Sequence, residues 1–332
     1  MRILFRVDVN TDRAWSRTMV SNLQQWMREL NYDAEVKYTN DYRNYDVVIF
    51  GRFAEARDIL AARTLYKHIL IGMLAPIDDT KIRRETIKLC DFLIQSSIEG
   101  RDHFMKYCPH VFIMPSIENT FTKYKKHKNN STIRIAYVGN KYHIRELHPH
   151  ITPALETLSQ ERKIQLVAIS NFNKLSQWKV GRPAKIDIEY KKWDVDRVED
   201  DLLSCDIGIV PGLTPGIKLL KAPEFYAKRT DYALRFKNES NAGRAFVFHQ
   251  LGLPVISDFI PSCFHILADP YCGHLAHSTN GWIYALRDLC SSAARRQKIA
   301  DYAYHAFHKY YNPLDWTERL YSSIKQLHQT KK

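Results

Sequence analysis

Short apolar runs recur along the chain, each followed by a polar stretch with helical spacing of its hydrophobic positions. In the first part the runs fall at 3–9, 34–37, 46–50, 68–74, 92–95 and 111–114, and each predicts a β-strand. Between them, 15–30 predicts a helix, with shorter helical candidates at 53–66 and 99–107. Strands nearly continuous in apolar side chains are buried on both faces, so the alternation predicts a parallel sheet covered by helices on each side. The pattern breaks at 119–131, where apolar content falls and the basic run Lys123, Lys125, Lys126 and Lys128 precedes Asn129, Asn130 and Ser131. Such a stretch predicts an interdomain linker. Strands then resume at 133–139, 164–170, 186–190, 206–210, 254–257 and 274–277, and an aromatic-rich helical segment from 282 breaks at Asn312 and Pro313. The expected architecture is α/β: two Rossmann-like domains, 1–118 and 132–312, facing each other across a cleft, and a last helix at 313–332.

A chain of 332 residues is long enough for two such cores. Hydrophobic content of 45% with 26% charged residues is that of a soluble globular protein, and no apolar run approaches the roughly 20 residues a bilayer span needs. The start, from Met1 to Asp8, has one short apolar run and no small-residue cleavage pattern, so it reads as a first strand and the expected location is the cytoplasm. Six scattered cysteines without a Cys-x-x-Cys pair read as reduced, mostly buried thiols. A net charge of +13 predicts attraction to anionic partners: phosphorylated substrates, acidic lipid surfaces or nucleic acid.

The richest stretch is 237–258, KNESNAGRAFVFHQLGLPVISD. Ser240 and Asn241 are N-cap types, and the free N–H groups of a first helical turn with Lys237 and Arg244 beside them suit a phosphate. Gly252 stops the helix, and Leu253 to Ser257 starts a strand almost at once. This segment resembles the signature of GT-B glycosyltransferases, particularly family-4-like enzymes, in which a Glu-bearing helix is followed by a Gly-Leu-Pro-Val-Ile turn and strand. In that family two glutamates eight positions apart hold the donor. Glu239 stands at the first place, whereas Val247 occupies the second, so the family's ribose contact is not carried over. The specific motif is confined to 205–258; the strand and helix order extends the resemblance over nearly the whole chain. It implies a final helix that crosses back to the first domain, and a nucleotide-sugar donor held mainly by the second.

Ligands of open α/β sheets bind beyond the carboxyl ends of the strands. After the strand at 133–139, Gly139 allows close backbone approach to phosphate and Lys141 supplies charge. Trp193 follows the strand at 186–190, where the resembling family holds the nucleobase; the alternative is a partly buried packing residue. A basic insertion at 213–237, with Lys218, Lys221, Lys228, Arg229, Arg235 and Lys237, reads as a lid over a diphosphate or as a solvated loop. In the first domain, Asp8 and Asp12 in the loop after strand one are candidates for the base that deprotonates an acceptor hydroxyl, Asp12 equally as an N-cap. Glu99 and His103, after the strand at 92–95, come next. Asp194 and Asp196 mimic an Asp-x-Asp metal motif, but Asp196 with Glu199 fits a capping box. His148 with His150, and His305 with His308, lack companion ligands, so no metal site is assigned. The chain has no nucleophile elbow, P-loop or Gly-x-Gly-x-x-Gly.

The expected activity is metal-independent transfer of a sugar from a nucleotide-activated donor, used as substrate with no separate cofactor, to a glycan or lipid-linked acceptor in polysaccharide or glycoconjugate synthesis. Alternatives are a sugar-nucleotide epimerase or other transferase on the same scaffold, and a non-enzymatic polyanion-binding protein, although no specific nucleic-acid partner is expected. The basic helical stretch 81–88, with Ile82 and Ile87 among Lys81, Arg83, Arg84 and Lys88, suggests an anionic membrane surface, the inner face of the cell membrane, as a further partner.

Overall fold

The computed structural model describes residues 1–332 except 10–12, 149, 172–177, 179, 214–240, 269, 270 and 332, and the side chain of Tyr142. The chain divides into two compact units, Met1–Thr120 with Asn241–Gly243 and Lys309–Lys332, and Phe121–Ser240 with Arg244–His308.

The first unit holds β1 (Ile3–Arg6), β2 (Ala34–Val36), β3 (Val47–Phe50), β4 (Leu70–Leu74), β5 (Phe92–Gln95) and β6 (Val111–Ile113). They form one parallel sheet in the order β2-β1-β3-β4-β5-β6. Every residue of β1, β3, β4 and β5 is buried, including Arg6 and Gln95 at the ends of β1 and β5, as nearly continuous apolar sequence demands of strands covered on both faces. The stretch expected as one helix at 15–30 is helical throughout but widens to a π-type turn at Arg17–Ser21, between Ala14–Ser16 and Asn22–Glu29. The widened turn and the residue that follows it carry polar side chains that grip 116–118. Arg17 makes a two-pronged contact with Glu118 (2.7 and 3.3 Å), Thr18 Oγ1 lies 2.7 Å from Ser116 Oγ, and Asn22 donates to the Ile117 carbonyl (3.1 Å). The last helix, Pro313–Lys331, packs on Asn22–Glu29 and on β6. Its Leu320 and Ile324 are buried, and Tyr321 stacks on Tyr32 with centroids 3.6 Å apart.

The second unit holds β7 (Ile133–Val138), β8 (Ile164–Ser170), β9 (Asp187–Lys192), β10 (Ile207–Val210), β11 (Val255–Asp258) and β12 (His274–Ala276). All pairings are parallel and the order is β12-β11-β10-β7-β8-β9. Counted in chain order this is 3-2-1-4-5-6, the doubly wound dinucleotide-fold arrangement. The edge strand β9, Asp-Ile-Glu-Tyr-Lys-Lys, is half-exposed, as its alternating polar residues require. Helices Ile151–Ser159 and Thr279–Ser291 pack together on one face, with Trp282 fully buried in the core.

Helix Gly243–Gln250 ends as expected at Gly252, whose φ of +69° is the left-handed conformation a glycine adopts freely. The Leu253 amide reaches the Phe248 carbonyl (2.9 Å) and the Gly252 amide that of His249 (3.1 Å), which satisfies two orphan carbonyls and turns the chain directly into β11. The basic run lies along the second unit. Lys125 N donates to Leu251 O (2.9 Å), His127 Nε2 pairs with Gly252 O (2.9 Å), and the buried Arg296 donates to Lys128 O (2.9 Å). The capping box expected at 196–199 does not form. Helix Val198–Leu203 follows Arg197 without a side-chain cap, and Glu199 Oε1 instead accepts from the amides of Thr122 (2.6 Å) and Lys123 (2.8 Å). A nearby pair of unsatisfied amides outcompetes the helix's own. All six cysteines are buried and none forms a disulfide.

Candidate functional site

In the second unit the chain winds outward from β7 through β8 to β9, then crosses to β10 on the other side of β7. The loops beyond β7 and β10 therefore diverge and leave a crevice at their carboxyl ends. Gly139 lies there with φ +156°, and a Cβ on it would sit 3.1 Å from Tyr137 Oη and 3.5 Å from Arg244 Cδ. Tyr137 Oη donates to the Asn140 carbonyl (2.9 Å), which fixes the loop after β7. From the opposite side, in the first turn of Gly243–Gln250, Arg244 Nη2 donates to the Pro211 carbonyl just past β10 (2.8 Å). Its guanidinium carbon is 6.0 Å from the Tyr137 ring centroid. Arg244 Nη1 is buried and has no hydrogen-bond partner among the described residues. A buried cationic donor without an acceptor is costly, and an anion in the crevice would remove that cost.

Beneath the crevice, β11 ends in Asp258, which is 1% exposed. Its carboxylate accepts from the amides of Gly212 (2.8 Å) and Leu213 (3.1 Å) and from Trp282 Nε1 (2.9 Å). Burial outweighs these donors and pushes its pKa up to about 6, with Glu146 adding a like charge nearby. Glu146, also buried, lies in the 3-10 turn Lys141–Leu147 with Oε1 3.0 Å from His143 Nδ1.

The structure brings Gly139, Lys141, Trp193 and Arg244 to the carboxyl edge of this one sheet. The Lys141 amide is 3.4 Å from Asn171 Oδ1 beyond β8, and the half-buried Trp193 follows β9 with its amide on Ser170 O (2.8 Å). Two strand spacings put Trp193 about 10 Å along the edge from Gly139. Asn241 Oδ1 accepts from the Gly243 amide (2.9 Å), so this side chain caps the helix that carries Arg244. Lys218, Lys221, Lys237, Glu239 and Ser240, with the basic insertion, lie outside the described residues.

In the first unit, Asp8 is exposed just past β1, and Asp12 lies outside the described residues. Glu99 is buried in the first turn of Ile98–Phe104, whose cap is Ser97 Oγ accepting from Gly100 N (3.2 Å). His103 is one turn on and shares its face. Its Nε2 is 3.3 Å from Asp79 Oδ2, and burial with the Lys106 charge holds its pKa below the ordinary histidine value. Asp8 does not join this pair: β1 and β5 are separated by β3 and β4, about 14 Å across the sheet. A cluster that the sequence did not signal stands at the ends of β1 and β3. Arg52 lies over the Trp15 ring (4.9 Å), Trp15 meets Phe53 edge-on (5.9 Å), and Phe53 is 55% exposed.

Asp194 Oδ1 accepts from the Asp196 amide (3.0 Å), so the Asp-x-Asp pair closes a turn. Among the described residues no group of three or more His, Cys, Asp or Glu side chains is placed to hold a metal ion, and no helix is long and apolar enough to cross a membrane.

No protein-family model matches the chain, and no curated protein matches it by sequence. Solved structures do match over its whole length. A sucrose-phosphate synthase from Thermosynechococcus elongatus superposes with a TM-score of 0.67 at 9% identity, covering 99% of this chain and 100% of that one. HepE of Anabaena, solved in complex with UDP, gives 0.60 at 8% identity, with 98% and 100% covered. A protein described as a UDP-N-acetylglucosamine 2-epimerase from Listeria monocytogenes gives 0.52 at 11% identity, with 99% and 97% covered. At these identities the likeness is one of fold: the chain has the pair of Rossmann-like units of the GT-B architecture.

Proposed function

We propose that the protein is a GT-B-type glycosyltransferase that takes its nucleotide-sugar donor on the second unit. The observation that carries the reading is the buried Arg244 Nη1, unpartnered among the described residues and beside Gly139, at the place where a 3-2-1-4-5-6 sheet opens a crevice. The diphosphate lies against Gly139, Arg244 and the first turn of Gly243–Gln250, whose dipole and amides beyond the capped Gly243 favour negative charge. Trp193 takes the base edge. Arg244, Lys141 and the lysines of the basic insertion stabilise the departing diphosphate by charge, without calling on a metal ion. UDP is the first nucleotide to test, because HepE, with the same fold, was solved holding it.

The first unit takes the acceptor, a glycan or a lipid-linked glycan, with Trp15 and Phe53 offering aromatic surface to a sugar ring. Asp8, or Glu99 with His103, receives the acceptor proton; the lowered pKa of His103 leaves it neutral and able to do so at pH 7. Contact with an anionic membrane draws on the net charge of +13. Helix Lys81–Lys88 contributes less to it than its sequence suggests: Ile82 is 78% exposed but Ile87 is in the core, and Arg83, Arg84 and Lys88 face Asp78, Asp79 and Glu85. Salt-sensitive flotation with anionic vesicles, and none with neutral ones, is the result that supports membrane contact.

The test is a thermal-shift screen of UDP, GDP, ADP and their sugar conjugates. A ligand at about 100 times its dissociation constant stabilises the native state by about 2.7 kcal/mol. A shift by one nucleoside diphosphate that disappears in Arg244→Ala supports the reading; no shift by any of them, with binding of nucleic acid instead, favours a polyanion-binding protein. The epimerase-like neighbour keeps a second chemistry in view, and product analysis separates an epimerised sugar nucleotide from a transferred sugar.

A further inference from the structure

Every residue from 210 to 213, the turn that leaves β10, is held by a side chain, and among the described residues the side chains on Val210, Gly212 and Leu213 are those of the last two residues of β11. Ser257 Oγ donates to the Val210 carbonyl (3.3 Å), and Asp258 Oδ2 accepts from the amides of Gly212 (2.8 Å) and Leu213 (3.1 Å). The exception is Pro211, whose carbonyl is held by Arg244 Nη2 (2.8 Å). Asp258 Oδ1 is anchored by Trp282 Nε1 (2.9 Å) from helix Thr279–Ser291. Resting on the donor-site reading above, we propose that Asp258 is a positioning residue for the donor phosphate: it sets the turn after β10 so that Pro211 aims the Arg244 guanidinium into the crevice.

The chemistry of the side chain supports this. Both carboxylate oxygens accept, one from two amides and the other from an indole N–H. Asparagine has only one accepting oxygen, so its amino group must face either the two backbone amides or the indole. A carboxylate in a 1%-exposed site is an expensive way to close a turn that serine or asparagine closes elsewhere in proteins. Burial raises the carboxyl's pKa to about 6, which records that cost. A group retained at such a cost, one hydrogen-bonded step from an unpartnered cationic donor, fits a role in holding that donor still.

The test uses the full chain with Asp258→Ala, Asp258→Asn, Arg244→Ala and the Asp258→Ala/Arg244→Ala double variant. Amide hydrogen exchange is read at Gly212 and Leu213 without ligand. Calorimetry reads affinity for UDP, GDP and ADP, and for the corresponding nucleosides. Exchange at the two amides is expected to rise at least tenfold in Asp258→Ala, and diphosphate affinity to fall at least tenfold while nucleoside affinity holds. In the Arg244→Ala background, the Asp258 replacement should add no further loss, because both changes remove the same contact. Should Asp258→Ala fail to fold, Asp258→Asn carries the same comparison with a smaller loss. Unchanged exchange, or losses that add in the double variant, overturn the proposal while leaving the donor site standing. Wild-type protein that binds no diphosphate overturns both.

Discussion

Replacing Asp258 by Asn should remove a pH dependence from the stability of this protein. The folded pKa, about 6, stands above the ordinary 3.8, so the folded state holds this proton more tightly than the unfolded chain does. A group shifted in this sense contributes stability that is fully present below the unfolded value and is lost as the pH rises through the folded one. Applying about 1.36 kcal/mol per pKa unit, about 1 kcal/mol of that contribution is gone at pH 4.5 and about 3 kcal/mol at pH 7. The asparagine variant keeps the volume, has no proton to exchange, and leaves either the two turn amides or the Trp282 indole unsatisfied, a cost of about 1–3 kcal/mol that does not vary with pH. Urea unfolding of both proteins between pH 4.5 and pH 7 reads the difference directly. Wild type should lose about 2 kcal/mol relative to Asp258→Asn across that window. Parallel curves, or a wild type that gains on the variant toward pH 7, refute the reasoning.

Arg244→Ala should weaken diphosphate binding by about 1.5–3 kcal/mol, checked by calorimetry, and Arg244→Lys should restore little of it, since an ammonium cannot reach both Pro211 and a phosphate. Gly139→Ala places a side chain at φ +156°, against Tyr137 and Arg244; stability should fall by about 1–3 kcal/mol and diphosphate affinity with it. Gly208→Ala would bring a methyl within 2.5 Å of the Phe248 ring, so chemical denaturation should show a loss of about 1–3 kcal/mol while the diphosphate Kd of the folded protein stays unchanged. Asp8→Asn should lower turnover roughly a hundredfold at unaltered donor affinity; full activity would move the proton-accepting role to Glu99 and His103.

The parallel sheets were legible because β3, β4 and β10 carry no polar side chain and β1, β5 and β11 turn polar only at their carboxyl ends, a pattern with few outcomes other than burial on both faces. The Gly252 stop was legible for the same kind of local reason. What escaped depends on residues distant in sequence. Arg244 was noticed for its charge near a helix start, but its partners are Pro211, 33 residues upstream, and the glycine at 139. Asp258 fell just past the strand expected at 254–257, and nothing local marks the indole of Trp282, 24 residues later, or the amides at 212 and 213 that make it a clamp. Glu199 was placed in a capping box by its spacing from Asp196; two backbone amides of the basic run, 77 and 76 residues away, claimed it instead. The Trp15, Phe53 and Arg52 cluster gave no signal at all, because Trp15 belongs to the helix after β1 and Arg52 and Phe53 to the loop after β3, segments distant in sequence that the β1–β3 pairing brings side by side.

The donor site can be seen directly. Crystals of the protein soaked with whichever of UDP, GDP or ADP raises its Tm should show the diphosphate within hydrogen-bonding distance of Arg244 Nη1 and against the Gly139 backbone, with the base toward Trp193. Diphosphate density elsewhere on the molecule, or an Arg244 guanidinium that stays unengaged while the nucleotide is bound, would contradict the account.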